Sequence, residues 1–114
     1  MSACIFCRIA AGELPTSKVD ETDQVLAFRD MSPQAPTHVL LIPKQHLADS
    51  AEALRPEHGT MLGELFTLAS RIARAEGVEG GWRLVTNVGP GAGQSVFHLH
   101  FHLLGGRTMT WPPG

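Results

Sequence analysis

His98-Leu99-His100-Phe101-His102-Leu103-Leu104 decides how this chain is read. Side chains of a strand alternate between its two faces. His98, His100 and His102 therefore share one face, and Leu99, Phe101 and Leu103 share the other. One face belongs to a buried core, and the opposite face carries a row of three imidazoles. A helix would scatter the same histidines around its axis and give them no common side. The segment is predicted to lie in a strand over residues 96–104.

Three readings of the imidazole row follow from chemistry alone. The histidines are polar residues on a solvated strand. Or they are metal ligands, since strand histidines at alternate positions reach one zinc and leave a place for water. Or one is a nucleophile, because a neutral imidazole attacks well near pH 7 and its neighbours tune it. Three of the chain's six histidines fall at strict alternate positions, which speaks against the first reading.

Immediately before them runs Asn87-Val88-Gly89-Pro90-Gly91-Ala92-Gly93-Gln94-Ser95. Glycines let backbone N–H groups approach an anion, and Gln94 and Ser95 add side-chain donors. By itself such a loop is an ordinary link between strands. Beside aligned histidines it reads as a phosphate cradle.

The remaining elements extend outward from this pair. Residues 82–86 form a strand. Before it lies a long helix, marked by Met61, Leu62, Leu65, Leu68, Ala69, Ile72 and Ala73 at three- and four-residue spacing. Pro56 and Glu57 suit its first turn and Gly77 its stop. Gly59 and Gly63 weaken its first half unless another backbone passes close by. Residues 38–42 are an apolar strand ended by Pro43. Residues 30–36, with Pro33 and Pro36, are a loop. Residues 17–21 and 24–29 are strands joined by a two-residue turn, Thr22-Asp23. Residues 4–11 make a short helix stopped by Gly12. The fold class expected is α+β: one domain over residues 1–114, with a mostly antiparallel five-stranded sheet, one long helix and a short N-terminal helix.

Bulk properties narrow the function. The chain has 114 residues, 43% of them hydrophobic and 18% charged, which suits one globular domain. A net charge of −2 argues against a nucleic-acid partner. No long uncharged apolar run is present, so no membrane span is expected, and the start of the chain does not read as a secretory signal. Cytoplasmic location is the expectation.

The triad pattern, with its alternating apolar residues and the final Leu104, resembles that of the histidine-triad family. Ile5-Phe6-Cys7, residues 27–38, residues 42–46, Gly93-Gln94-Ser95-Val96, Gly105-Gly106-Arg107 and Trp111-Pro112-Pro113-Gly114 are similar to its Hint branch. The resemblance implies a homodimer whose sheets continue across the interface. It also implies hydrolysis of phosphoramidate-type bonds on purine nucleoside 5′-monophosphates. His100 would attack the α-phosphorus and form a nucleotidyl-histidine, with His102 assisting and His98 completing the triad. Asn87, Gly93, Gln94 and Ser95 would hold the phosphate, and Asp30 the ribose. Ile5, Phe6, Phe28 and Met31 would sandwich the base, though core packing explains Phe28 and Ile5 nearly as well. Trp111 would lie near the partner's site. No carboxylate cluster for magnesium is evident, which fits a route that requires no cofactor for the chemistry.

Cys4 and Cys7 are spaced C-x-x-C, with no thioredoxin-like βαβ context. They read as two buried thiols or as half of a structural zinc site. Without a second such pair, zinc would need histidines, and the resemblance implies Cys4, Cys7, His46 and His98. His38 and His58 are read as structural or exposed. Two alternatives stay open: a nucleotide-binding regulatory or scaffold protein with weak catalysis, and a zinc-dependent hydrolase with the triad as ligands.

Overall fold

The computed structural model describes residues 3–114; Met1 and Ser2, at the start of the stretch read for a leader, lie outside them. Five strands form one sheet: β1 (Lys18–Glu21), β2 (Val25–Arg29), β3 (Thr37–Pro43), β4 (Trp82–Val85) and β5 (Phe101–Gly105). Their order is β1-β2-β3-β5-β4, and every neighbouring pair is antiparallel. The last strand is therefore inserted beside β3, and β4 forms an edge. Helix α1 (Ile5–Ala10) lies on one face and α2 (Gly59–Ala75) on the other. Among the described residues no helix is long and apolar enough to cross a membrane.

The period-two pattern sorts the sheet into two cores. Val25, Ala27, Val39, Leu41, Leu99, Phe101 and Leu103 meet the α2 stripe of Met61, Leu65, Leu68, Ala69 and Ile72. Leu26, Phe28, Leu40 and Ile42 point the other way and meet Phe6 of α1. Each of these large side chains contributes roughly 1.5–3 kcal/mol by leaving water, so the α2 core holds most of the stability. The smaller core lies beneath the histidines.

Four local expectations are corrected. The strand expected over 96–104 begins only at Phe101. Extending the β3–β5 register past Leu41↔Phe101 brings Leu99 opposite Pro43, which has no N–H to donate, and β4 ends at Val85 opposite His102. Other groups replace the ladder: Leu99 N–H donates to Ala48 O at 2.9 Å, and Thr86 Oγ1 donates to His100 O at 2.8 Å. The alternation of faces survives. The turn between β1 and β2 has three residues rather than two. Thr22 N–H donates to Val25 O, and Thr22 Oγ1 accepts from Val25 N–H while donating to Glu64. The long helix begins at Gly59, after a separate 3₁₀ turn over Pro56–His58. Apart from its own turn of helix, no atom of the described residues lies within 4 Å of a Cβ built on Gly59 or Gly63, so no other backbone among them passes close by.

Candidate active site

His100 is buried, at 8% exposure, and its Nδ1 lies 2.8 Å from the carbonyl oxygen of His98. A carbonyl only accepts, so Nδ1 carries the hydrogen. In the neutral ring the lone pair is then on Nε2, which bonds to nothing among the described residues. The backbone thus leaves Nε2 with the free lone pair that a nucleophile needs. The His102 ring stands beside it, with centroids 5.2 Å apart.

His102 is set by a longer chain of hydrogen bonds. Gln34 N–H donates to His38 Nδ1 at 3.0 Å, so neutral His38 carries its hydrogen on Nε2. That atom lies 2.9 Å from His102 Nδ1 and 3.5 Å from Asp30 Oδ2. His102 Nδ1 therefore accepts, and His102 Nε2 carries the hydrogen as a donor. His38 pairs with Leu104 in the register, so it meets His102 as a diagonal neighbour on the same face. Asp30, His38 and His102 converge closely enough for an ion. However, the His38 lone pair is already committed to Gln34, and the set acts as a hydrogen-bond relay.

Burial, with positive charge on His100 and His38 opposing another, pushes His102 down to about 4. Burial also lowers His38, against the pull of Asp30. A histidine lowered in the folded state binds its proton later than the unfolded chain does as pH falls. Stability is therefore full above about 6.5 and is lost between there and about 4. The expected loss is roughly 2–3 kcal/mol from His102. Denaturant unfolding across this range measures it, and His102→Asn is expected to flatten the slope.

His98 differs from the other two. Its ring is fully buried, Nε2–H donates to Pro43 O at 2.8 Å, and Nδ1 faces Cys4 Sγ at 3.3 Å and Cys7 Sγ at 3.5 Å. Its contribution toward His100 is therefore its carbonyl. His46 mirrors this arrangement: Nε2–H donates to Asp49 Oδ1 at 2.6 Å, and Nδ1 lies 3.6 Å from Cys7 Sγ. Four ligand atoms, from Cys4, Cys7, His46 and His98, lie within 4.8 Å of one another. Both imidazoles aim a lone pair at the thiols and anchor the far nitrogen on an oxygen, the arrangement a tetrahedral zinc requires. Burial pushes the Cys4 thiol up, but hydrogen bonds from Cys7 and His46 outweigh it and favour thiolate. The residues fit zinc.

The loop after β4 does less direct work than its glycines imply. Gly89 and Gly93 have φ of 82° and 90°, which only glycine adopts easily. Ala92, Gly93 and Gln94 turn their N–H groups inward onto Gly89 O and Pro90 O. Gln94 is buried; its Oε1 accepts from Gly89 N–H and its Nε2 donates to Asp49 O and Val96 O. Gly93 and Gln94 thus shape the loop, and exposed Ser95 is left with an uncommitted hydroxyl among the described residues. Asn87 lines a cavity of about 210 Å³ with Gln34, His38, Val85, His102 and Leu104.

The other expected contacts are scattered. Phe6 packs edge-on against Phe28, His98 and His100 at 5.7, 5.9 and 5.1 Å. Phe28 is core, and Ile5 beside Phe6 is half-exposed. Met31 is 99% exposed, just after Asp30, whose Oδ1 accepts from Ser32 N–H. Trp111 is 84% exposed, on a tail that Arg83 ties to β4 through Thr110 O and Pro113 O. Sequence reasoning placed His38 outside the site; its only local signal is a histidine on the sheet face that also carries the triad. His58 is structural, its Nδ1 accepting from Arg55 N–H.

Comparison with known proteins adds a frame to this geometry. The model of the HIT domain matches residues 11–109. The chain is 50% identical to the 14 kDa zinc-binding protein of Zea mays, over 99% of this chain and 89% of that one. It is 47% identical to adenylylsulfatase HINT1 of Arabidopsis thaliana, over 99% and 78%. Its fold is similar to a HIT family hydrolase from Legionella pneumophila, with a TM-score of 0.93, 51% identity, and 97% and 99% of the two chains covered.

Proposed function

This chain belongs to the HIT domain family, at whose level it is a nucleotide-binding hydrolase, and we propose that it cleaves phosphoramidate-type bonds on purine nucleoside 5′-monophosphates. One observation carries this reading: the carbonyl of His98 holds the His100 proton on Nδ1 and leaves Nε2 as a buried lone pair. His100 Nε2 attacks the α-phosphorus, a P–Nε2 bond forms, and the P–N bond to the leaving amine breaks. The amine departs with a proton from solvent. The charge on the phosphorylated imidazole is offset by the His98 carbonyl. His102 Nε2–H and the Ser95 and Asn87 side chains hold the phosphoryl oxygens. Water then attacks phosphorus, loses its proton, and releases the monophosphate and free Nε2. Asp30 takes the ribose hydroxyls, while Ile5, Phe6 and Met31 border the base, with Phe28 packed behind Phe6.

Release of adenosine monophosphate from adenosine 5′-phosphoramidate tests this reading. If the triad were zinc ligands, a chelator would remove kcat outright. Among the described residues neither metal-type cluster contains two triad histidines, and His98 sits in a set with four protein ligands, which leaves no place for water. A value of kcat at saturating substrate that survives chelation is therefore expected. Binding of adenosine monophosphate without any turnover would instead indicate a nucleotide-binding regulatory or scaffold protein.

His38 is a positioning residue. His38→Phe removes the donor to His102 Nδ1 and frees that ring to change tautomer. It is expected to lower kcat between about tenfold and a few hundredfold with little change in KM. His38→Gln, which keeps an N–H, is expected to recover part of the loss. An unchanged kcat in His38→Phe would remove the relay.

A structural zinc on Cys4, Cys7, His46 and His98 belongs to the same reading, with a reducing cytoplasmic setting keeping the thiolates available. Protein purified without chelator is expected to contain one zinc per chain; metal analysis showing well under one equivalent counts against it. The chain is further proposed to form a homodimer through β4, the sheet edge bounded on one side only by β5, which would bring Trp111 of each tail to the other subunit's site.

A further inference from the structure

The four zinc-type ligands connect α1 to the histidine segment at the margin of the small core. Cys4 is the N-cap of α1 and Cys7 lies within it, whereas His98 opens the triad segment and His46 follows β3. Helix α1 has six residues and buries one of them, Phe6. An isolated helix of that length does not persist in water. Its hold on the sheet is the packing of Phe6, with part-buried Ile9 and Ala10, on the small core, and the approach of Cys4 and Cys7 to the two imidazoles. As thiols, Cys4 and Cys7 meet the imidazole lone pairs of His98 and His46 as weak S–H donors. The large core on the α2 face includes no residue of α1. The pair also lies outside residues 11–109, which the family model matches.

We propose that Cys4, Cys7, His46 and His98 form a metal-dependent clasp that docks α1 on the catalytic segment and so builds the nucleotide pocket, while the sheet and α2 stand without it. The inference rests on the zinc and nucleotide readings above. With the clasp closed, Ile5 and Phe6 border the place for the base, and Phe6 backs His100. With it open, α1 exchanges between docked and undocked states and only the docked fraction binds nucleotide. A metal placed elsewhere would leave α1 unaffected.

The test compares zinc-loaded protein with protein stripped by chelation, and with stripped protein refilled with zinc alone. Zinc stoichiometry, hydrogen exchange of the amides in residues 4–12, and the affinity for adenosine monophosphate are measured. Stripping is expected to raise exchange in that segment selectively, leaving the amides of β3, β5 and α2 protected. If α1 is docked in one molecule in ten, affinity falls about tenfold, because only the competent fraction binds. Refilling restores both. Cys7→Ser is expected to reproduce the stripped state with zinc present, and the protected sheet shows that it remains folded. If zinc binds but neither exchange nor affinity changes, the clasp is overturned and the metal site stands. If α1 loosens and affinity holds, the link to the pocket is overturned. If zinc does not bind, metal site and clasp fall together; if the loaded protein binds no nucleotide, the nucleotide reading falls and takes the pocket with it.

Discussion

His100→Gly is expected to lower kcat on adenosine 5′-phosphoramidate by about 10⁴-fold or more, the scale on which loss of a nucleophile is felt. Nucleotide affinity should change far less, because the ring is one wall of a site whose remaining contacts lie on Asp30, Asn87 and Ser95. The size of the effect follows from the geometry. Among the described residues, Nε2 of His100 is the imidazole lone pair left uncommitted in the neutral site: His102 has its hydrogen there, and His98 has donated to Pro43 O. No neighbouring ring replaces it without breaking a hydrogen bond that fixes its tautomer. Steady-state kinetics of the two proteins measure the difference. A loss under about tenfold would assign the attack to another group.

Leu99→Ala is expected to cost about 2–5 kcal/mol, as for other buried leucines truncated to alanine. Leu99 is fully buried on the α2 face, between two histidines that face the other way. Its segment precedes the regular strand and depends on packing and single hydrogen bonds, with Ala48 O and the Thr86 hydroxyl in place of a ladder. A domain of this size has a total stability of only about 5–15 kcal/mol. The melting temperature should therefore fall by about 10 °C or more. Denaturant unfolding checks it, and a cost below about 1 kcal/mol would show that the alternation of faces is not sustained at this position.

Much of the molecule was legible in its pattern because the pattern is physical. Period two in residues 98–104 and period 3.6 in α2 each place one face against the core, and the two cores divide along those faces. The start of β5 was not legible, because it depends on which strand lies alongside. Pro43 opposite Leu99 ends the ladder, and only the register reveals that pairing. The internal bonding of the glycine-rich loop was not legible for a similar reason. Its glycines serve positive φ at 89 and 93, while the buried Gln94 amide consumes donors that looked available. His38 was missed because its partner lies 64 residues away, on a strand inserted next to β3. The Cys4, Cys7, His46 and His98 set came from the resemblance and not from spacing, since its members are distributed over three parts of the chain.

The central claim is that His100 forms a covalent bond to phosphorus. The most direct measurement is mass spectrometry of protein quenched in acid-free conditions during turnover of adenosine 5′-phosphoramidate, with peptide mapping of any adenylyl adduct. An adduct on His100, absent from His100→Gly, is the result expected. Turnover at the wild-type rate in His100→Gly, or an adduct mapped to another residue, would contradict it.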